Sequence, residues 1–256
     1  MRPIVAFSAI LFCTGISAAQ DPAANTGWTL NGSAILKKVP DGGGYRIRLT
    51  ANQTFQAGSA FLTAPIAFGN GNTFSYSFQF QMTDPNSQAS DGMTFVLQTA
   101  GPTALGANGG CLGYAGSGSD CVSPYTGGIM PSVAVEFDTW QNSPFDLNDN
   151  HVAILTNGQL DDTDPQTPYG VTNCQPAGAF GCMNNGDVWS VWINYDGASL
   201  HVALADDSSN RPPDLIDYPI DIPGILGGSS AYIGFSAGTG AGDENHYVMN
   251  LKPGKP

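Results

Sequence analysis

Positive charge is scarce in this sequence. Lysine and arginine together number 8 in 256 residues, against 21 Asp and Glu, for a net charge of −13. No basic patch can be assembled to follow a phosphate backbone, so nucleic acid is not an expected partner. Charged residues of both signs make up 11% of the chain, against the usual share of about 25%. Because hydrophobic residues reach 41%, disorder is not expected either. Capped runs of 3.6 periodicity are missing beyond the N-terminus, which argues against long helices. There is no C-x-x-C pair, so a zinc site has little support.

Long apolar runs are missing too, apart from Ile4 to Ile16, which follows Met1-Arg-Pro and precedes Ser17-Ala18-Ala19. Residues 1–19 read as a secretory signal peptide cleaved after Ala19, with Cys13 inside it. The run is too short to span a bilayer, and no later stretch approaches about 18 apolar residues. The expectation is a secreted protein, extracellular or periplasmic, with no membrane span and a net charge that moves from −13 to −14 when Arg2 leaves. Four cysteines remain, Cys111, Cys121, Cys174 and Cys182. An even number in an exported chain implies disulfides, for which three pairings exist. The two local ones, Cys111–Cys121 and Cys174–Cys182, each close a short Gly-rich loop and are favoured.

What the chain does have is Gly (33), Pro (18) and aromatics (10%), the mixture of many short strands joined by turns around a large core. A single all-β domain of this length is common. Strands are expected around Trp28–Lys37, Tyr45–Thr50 and Ala60–Phe68. In Phe74–Met82, five apolar residues interleave with Ser75, Ser77, Gln79 and Gln81, as in a strand packed on one side. Asp196-Gly197 marks a hairpin between Val188–Tyr195 and Ala198–Ala205. Trp189 and Trp192 serve the core or a sheet face. Arg211-Pro-Pro-Asp and Asp221-Ile-Pro-Gly read as turns, and so does Asp161-Asp-Thr-Asp-Pro. His201 and His246 lie in strands without an evident partner. The Gly-x-Gly-x-Gly at Gly238–Gly242 precedes a strand at Asn245–Leu251, not a helix, and is not a phosphate loop.

The chain is organised around Val133-Ala-Val-Glu-Phe-Asp-Thr-Trp-Gln-Asn142 and the loop that ends at His151. Alternate residues of a strand share a face. One face is apolar; the other aligns Glu136, Asp138 and Trp140. Two carboxylates so close on one face repel unless a cation or a proton lies between them. Asn142, Asp146 and His151 follow. Glu136, Asp138, Asn142 and Asp146 offer hard oxygens suited to calcium, and His151 offers a nitrogen suited to a transition metal. A divalent metal site built by a strand and its exit loop is the expectation.

Glu-Phe-Asp-Thr-Trp-x-Asn, then an Asp, then a His opening a strand, closely resembles the metal-binding segment of legume-type (L-type) lectins. Three more segments resemble the family in order: Ser90-Asp-Gly-Met-Thr-Phe-Val-Leu97, Gly109-Gly-Cys-Leu-Gly113 and Ala231-Tyr-Ile-Gly-Phe-Ser-Ala-Gly-Thr-Gly240. The resemblance, that of a secreted non-plant or bacterial-like member, implies one antiparallel β-sandwich of jelly-roll type over residues 25–252, with loops at one end forming a shallow sugar site. It implies that Asp138 and Asp146 bridge two ions, and that Asn142 and the main-chain carbonyl of Trp140 complete a calcium site. Glu136 and His151 would bind the second ion, manganese or another transition metal. For the sugar it implies Asp91 as acceptor after a cis Ser90–Asp91 peptide, the Gly110 amide and Asn142 as donors, the Trp140 ring as a plate, and the Ala241 and Gly242 amides from a fourth loop. Glycans or glycoconjugates are the implied partners, without catalysis, and homo-oligomers are frequent in the family.

Two rival readings remain. Glu136-x-Asp138 also resembles the catalytic strand of laminarinase-like jelly-roll glycoside hydrolases. Retaining cleavage needs two carboxyls about 5 Å apart, however, and the positions further along this strand hold Trp140 and Asn142. The other is a structural exoprotein or adhesin with metal loops and no sugar affinity, since a fold does not guarantee a competent pocket.

Overall fold

A computed structural model describes residues 27–39, 44–86, 88–116, 121, 127–144, 146, 148–160, 169–171 (backbone only), 182–206 and 208–254. The strands in chain order are β1 (Trp28–Gly32), β2 (Ile35–Lys38), β3 (Tyr45–Thr50), β4 (Ala57–Leu62), β5 (Ile66–Ala67), β6 (Phe74–Thr83), β7 (Gly92–Gln98), β8 (Ser132–Asp138), β9 (His151–Thr156), β10 (Tyr169–Val171), β11 (Trp189–Tyr195), β12 (Ser199–Asp206), β13 (Ile216–Pro219), β14 (Ser230–Gly238) and β15 (Asn245–Pro253), with a short helix α1 (Ile222–Leu226) before β14. Among the described residues they form two antiparallel sheets. One runs β1-β4-β14-β7-β8-β9-β10 with β5 beside β14; the other runs β13-β12-β11-β6-β15-β3-β2. This is the expected jelly-roll sandwich.

The period-2 pattern of β6 decides where the two sheets meet. Phe74, Tyr76, Phe78, Phe80 and Met82 are buried, while Gln79 and Gln81 are partly exposed on the other face. Phe78 lies at the centre. Its ring meets Phe95 of β7 at 5.4 Å, Phe235 of β14 at 4.8 Å and Phe137 of β8 at 6.0 Å. Each such ring contributes about 2–3 kcal/mol by leaving water, and each aromatic pair adds about 1 kcal/mol. Trp189 is fully buried and stacks on Phe80, whereas Trp192 lies partly exposed on the outer face of its sheet.

Three features depart from the sequence expectation. Trp28–Lys37 is not one strand but two, β1 and β2, which belong to opposite sheets. Gly32 makes the break: its φ is +60°, and a Cβ there would lie 2.2 Å from the Ala57 carbonyl oxygen. Asp221-Ile-Pro-Gly opens the helix α1 rather than a plain turn, because the Asp221 side chain accepts from the Gly224 N–H as an N-cap. The third is the most consequential. Residues 99–116 and 127–131 fold over the outer face of the eight-stranded sheet, where Leu112, Tyr114 and Ile129 pack with Val96, Ala134 and Leu155 in a second hydrophobic cluster.

As a result β7 and β8 are buried along both faces. Tyr114 anchors this layer through Ser132 Oγ at 2.9 Å and the Gly158 N–H at 3.0 Å, and burial pushes its phenol up to about 12. The Cys111–Cys121 disulfide ties the same layer. Cys182 is disulfide-bonded, while Cys174 lies outside the described residues. So do the expected leader and the Asp161–Asp164 turn.

Candidate metal and ligand site

The candidate site lies where β7, β8 and β9 end together. Gly92 of β7 pairs with Asp138 of β8, and Asp138 pairs with His151 of β9. Antiparallel register therefore sets the residue after β8, the residue before β7 and the first residue of β9 at one end of the sheet. Val133, Val135 and Phe137 face the inter-sheet core. Glu136 and Asp138 point to the opposite face, beneath the covering layer, and both are 2% exposed.

Glu136, Asp138 and His151 each offer a ligand atom within 4.8 Å of the other two. His151 Nε2 is 3.8 Å from Glu136 Oε2. The other ring nitrogen, Nδ1, lies 3.1 Å from the Asn148 carbonyl. A carbonyl can only accept, so Nδ1 carries the proton and Nε2 presents its lone pair to the carboxylates, the arrangement usual for a ligating imidazole. Asp138 Oδ1 accepts from the Trp140 N–H at 2.6 Å, which turns the chain out of the strand. Asp146 in turn accepts from the Asn142 N–H, and its own N–H donates back to the Asn142 carbonyl at 3.2 Å. These bonds gather Asn142 and Asp146 beside Asp138. Burial, helped by the charge of Asp146, raises the Asp138 carboxyl well above its usual range, with His151 opposing. A buried donor set of carboxylates plus imidazole, so arranged, fits a divalent cation.

Three other loops close on the same place. The Ser90–Asp91 peptide is cis, and Asp91 is 4% exposed. Its carboxylate accepts from the Gly240 N–H, while Oδ2 is buried with no hydrogen-bond partner. Burial pushes this carboxyl up to about 7, against the pull of His246 and the Gly240 bond. Gly109 donates to the Thr239 carbonyl at 2.9 Å, so the Gly109–Gly113 turn lies against the loop after β14. Gly110 touches Asn142: a Cβ at Gly110 would lie 2.4 Å from Asn142 Oδ1, itself a buried oxygen without a hydrogen-bond partner. Asp91, Gly110, Asn142 and the loop carrying exposed Ala241 are thus neighbours. Gly242 packs against Gln88 and Ser90, bracing the segment that leads into Asp91. Trp140 is partly exposed and lines a depression of about 500 Å³ with Gln88, Thr139, Gln141, Asp149 and Asn184.

The sequence pattern of the family described as Legume lectin domain matches residues 25–252. The chain belongs to this family. Among curated proteins, the probable L-type lectin-domain containing receptor kinase I.2 of Arabidopsis thaliana is 29% identical over 212 residues, covering 79% of this chain. The chain spans about a third of that relative's length, 30%. Among solved structures, the metal-free lectin I-B4 of Griffonia simplicifolia superposes with a TM-score of 0.68 at 20% identity, over 91% of this chain and 94% of that one. The Bauhinia forficata lectin in complex with GalNAc gives 0.64 at 20% identity, over 93% of both. These likenesses bear out the legume lectin fold, two antiparallel sheets packed face to face.

Two residues at this end of the lectin fold carry no role that the sequence assigned. Glu244 and His246 are fully buried beneath Asp91, with His246 Nε2 3.4 Å from Glu244 Oε1. The available signal was phase: on β15, His246 alternates with the core residue Val248, which places a titratable ring on the inward face. His201 also has partners, the surface carboxylates of Asp196, Asp214 and Asp217 at 3.2–3.6 Å.

Proposed function

We propose that this chain is an exported carbohydrate-binding lectin, without catalysis, whose shallow sugar site depends on bound metal. One observation carries the reading: the buried, partnerless oxygens of Asp91 and Asn142 sit beside one another's loops, next to the clustered Glu136, Asp138 and His151. Buried polar groups are ordinarily satisfied. Here a cation and a polyhydroxylated ligand would satisfy them from outside the chain.

Glu136, Asp138 and His151 would hold a transition metal such as manganese. Asp138 and Asp146, with Asn142 and the Trp140 carbonyl, would hold calcium. The ions supply positive charge that permits the buried carboxylates to ionise together and fixes the Asn142 side chain. Asp91 then accepts from sugar hydroxyls while Asn142 and the Gly110 amide donate, with further amides from Ala241 and Gly242. The Trp140 ring offers an apolar plate for the C–H face of a pyranose. Family membership and the GalNAc complex of the Bauhinia relative support a saccharide as the ligand class.

The test is a glycan-array screen with calcium and manganese, repeated after EDTA and with Asp91→Ala and Asn142→Ala. Binding that needs metal and both side chains supports the reading. A folded, metal-loaded protein that binds nothing contradicts it, and shortened glycans at the bound spots would point to the hydrolase.

A further inference from the structure

Glu244 and His246 form a fully buried ionisable pair that the proposed metal and sugar contacts do not use. Glu244 Oε2 and His246 Nε2 have no hydrogen-bond partner, although Nε2 lies within ion-pair distance of Glu244 Oε1. Burying such a pair is expensive, and apolar residues of similar volume are often as stable or more so. Stability alone does not account for it.

The surroundings suggest what does. The Thr50 hydroxyl, on β3 of the seven-stranded sheet, hydrogen-bonds His246 Nδ1 at 2.6 Å and lies 3.3 Å from the Glu244 carbonyl. This fixes the imidazole, and the imidazole faces Glu244 Oε1. On its other side Glu244 Oε1 accepts from the Thr139 hydroxyl at 3.2 Å. Thr139 shares that single proton with the Asp91 carbonyl at 3.0 Å, and its backbone N–H donates to the same carbonyl at 2.8 Å. An unbroken series of contacts therefore runs from β3 through His246 and Glu244 to Thr139 and the main chain of Asp91. Thr139 directly follows Asp138, so the series also reaches the strand end that carries the metal ligands.

We infer that Glu244 and His246 are positioning residues: His246 holds Glu244, Glu244 holds the Thr139 hydroxyl, and Thr139 clamps the Asp91 peptide so that its carboxylate meets the sugar. The pair touches neither sugar nor metal. The inference rests on the lectin reading, because it gives Asp91 a ligand to meet. Glu244 acts as an acceptor, so a neutral side chain that keeps an oxygen at Oε1 retains the clamp, and an apolar one loosens it by freeing the Thr139 side chain to turn.

The experiment uses calcium- and manganese-loaded protein with the array glycan of highest affinity. Titration calorimetry measures glycan and calcium affinity, and hydrogen exchange follows the Thr139 amide, for Glu244→Leu, Glu244→Gln and Thr139→Val. Glu244→Leu and Thr139→Val are expected to weaken glycan binding about tenfold or more, the scale of one lost charge-assisted hydrogen bond. Calcium affinity should stay within about twofold, and Thr139 exchange should quicken about tenfold. Glu244→Gln should remain within about threefold of the parent. Should Glu244→Leu not fold, Thr139→Val carries the same comparison. Unchanged glycan affinity and exchange in these variants overturns the inference. A parallel loss of calcium affinity does so too, as does a Glu244→Gln variant as weak as Glu244→Leu. If the parent protein binds no glycan, the lectin reading falls, and the exchange data still decide whether the clamp exists.

Discussion

Gly110→Ala probes the contact between the Gly109–Gly113 turn and Asn142. The added methyl carbon would lie 2.4 Å from Asn142 Oδ1, 2.8 Å from Cγ and 2.9 Å from Nδ2. Unbonded carbon makes its favourable contacts at about 3.5–4.0 Å, so the amide must retreat by about 1 Å. The Gly110 backbone is outside the left-handed region, and the methyl adds no backbone strain of its own. The methyl should act by displacing Asn142, through calcium coordination and the hydrogen bond to the sugar, while the Gly110 N–H itself is kept. Losing one well-placed interaction of this kind costs about 1.5–3 kcal/mol, or about 10- to 100-fold in Kd. Stability should shift by no more than about 0.5 kcal/mol, since a flexible side chain absorbs the collision. Titration calorimetry of glycan into the calcium-loaded variant gives the affinity, and a thermal melt gives the stability. Gly228→Ala is the control, because a Cβ there has nothing within 4 Å. Wild-type affinity in Gly110→Ala would refute the assignment of Asn142 to the site.

Other perturbations have equally definite outcomes. Asp91 and Asp138 have carboxyl pKa values raised by burial in the metal-free fold, Asp91 from 3.8 to about 7. Such groups take up protons on folding, so their contribution to stability without metal grows as pH falls; for Asp91 the window runs from about 7 down to the unfolded value of about 4. Metal binding needs the carboxylates ionised and weakens over the same range. Melts should show the gap in Tm between calcium-loaded and EDTA-treated protein closing from about pH 7.5 to about pH 5; a widening gap contradicts it. Replacing Cys111 and Cys121 by Ala removes a crosslink of sequence separation 10 from the layer over β8. That should lower unfolding free energy by about 2–3 kcal/mol in urea titrations, and a loss below about 0.5 kcal/mol would mean the layer stands without it. Phe78→Ala empties the centre of the inter-sheet cluster and should cost about 3–5 kcal/mol, whereas Tyr45→Ser, at a side chain 60% exposed, should move stability by about 0.5 kcal/mol or less.

What could be read from the residues alone was what is local. The alternation in Phe74–Met82 needs no partner to be seen, and it located the inter-sheet face. Glu136, Asp138 and His151 were legible because a strand aligns i and i+2 carboxylates whatever covers them, and the family motifs supplied the loops around Asp91, Gly110 and Asn142. Features made by distant partners were not legible. Gly32 ends β1 because the Ala57 carbonyl approaches it, 25 residues along the chain. The layer that holds Leu112, Tyr114 and Ile129 has no periodicity, since its side chains pack on a sheet rather than within one. His246 gave no sign of function because Thr50 lies 196 residues away, and Glu244 meets Thr139 across 105. β15 fixes only which way the His246 side chain points.

The proposed sugar site depends on metal held by the end of β8 and its exit loop. The decisive measurement is titration calorimetry of one array-positive glycan into EDTA-stripped protein, then into the same sample reconstituted with calcium and manganese. No measurable binding is expected in the stripped protein, and saturable 1:1 binding on reconstitution. Equal affinity in both states, with both folded, would contradict that dependence.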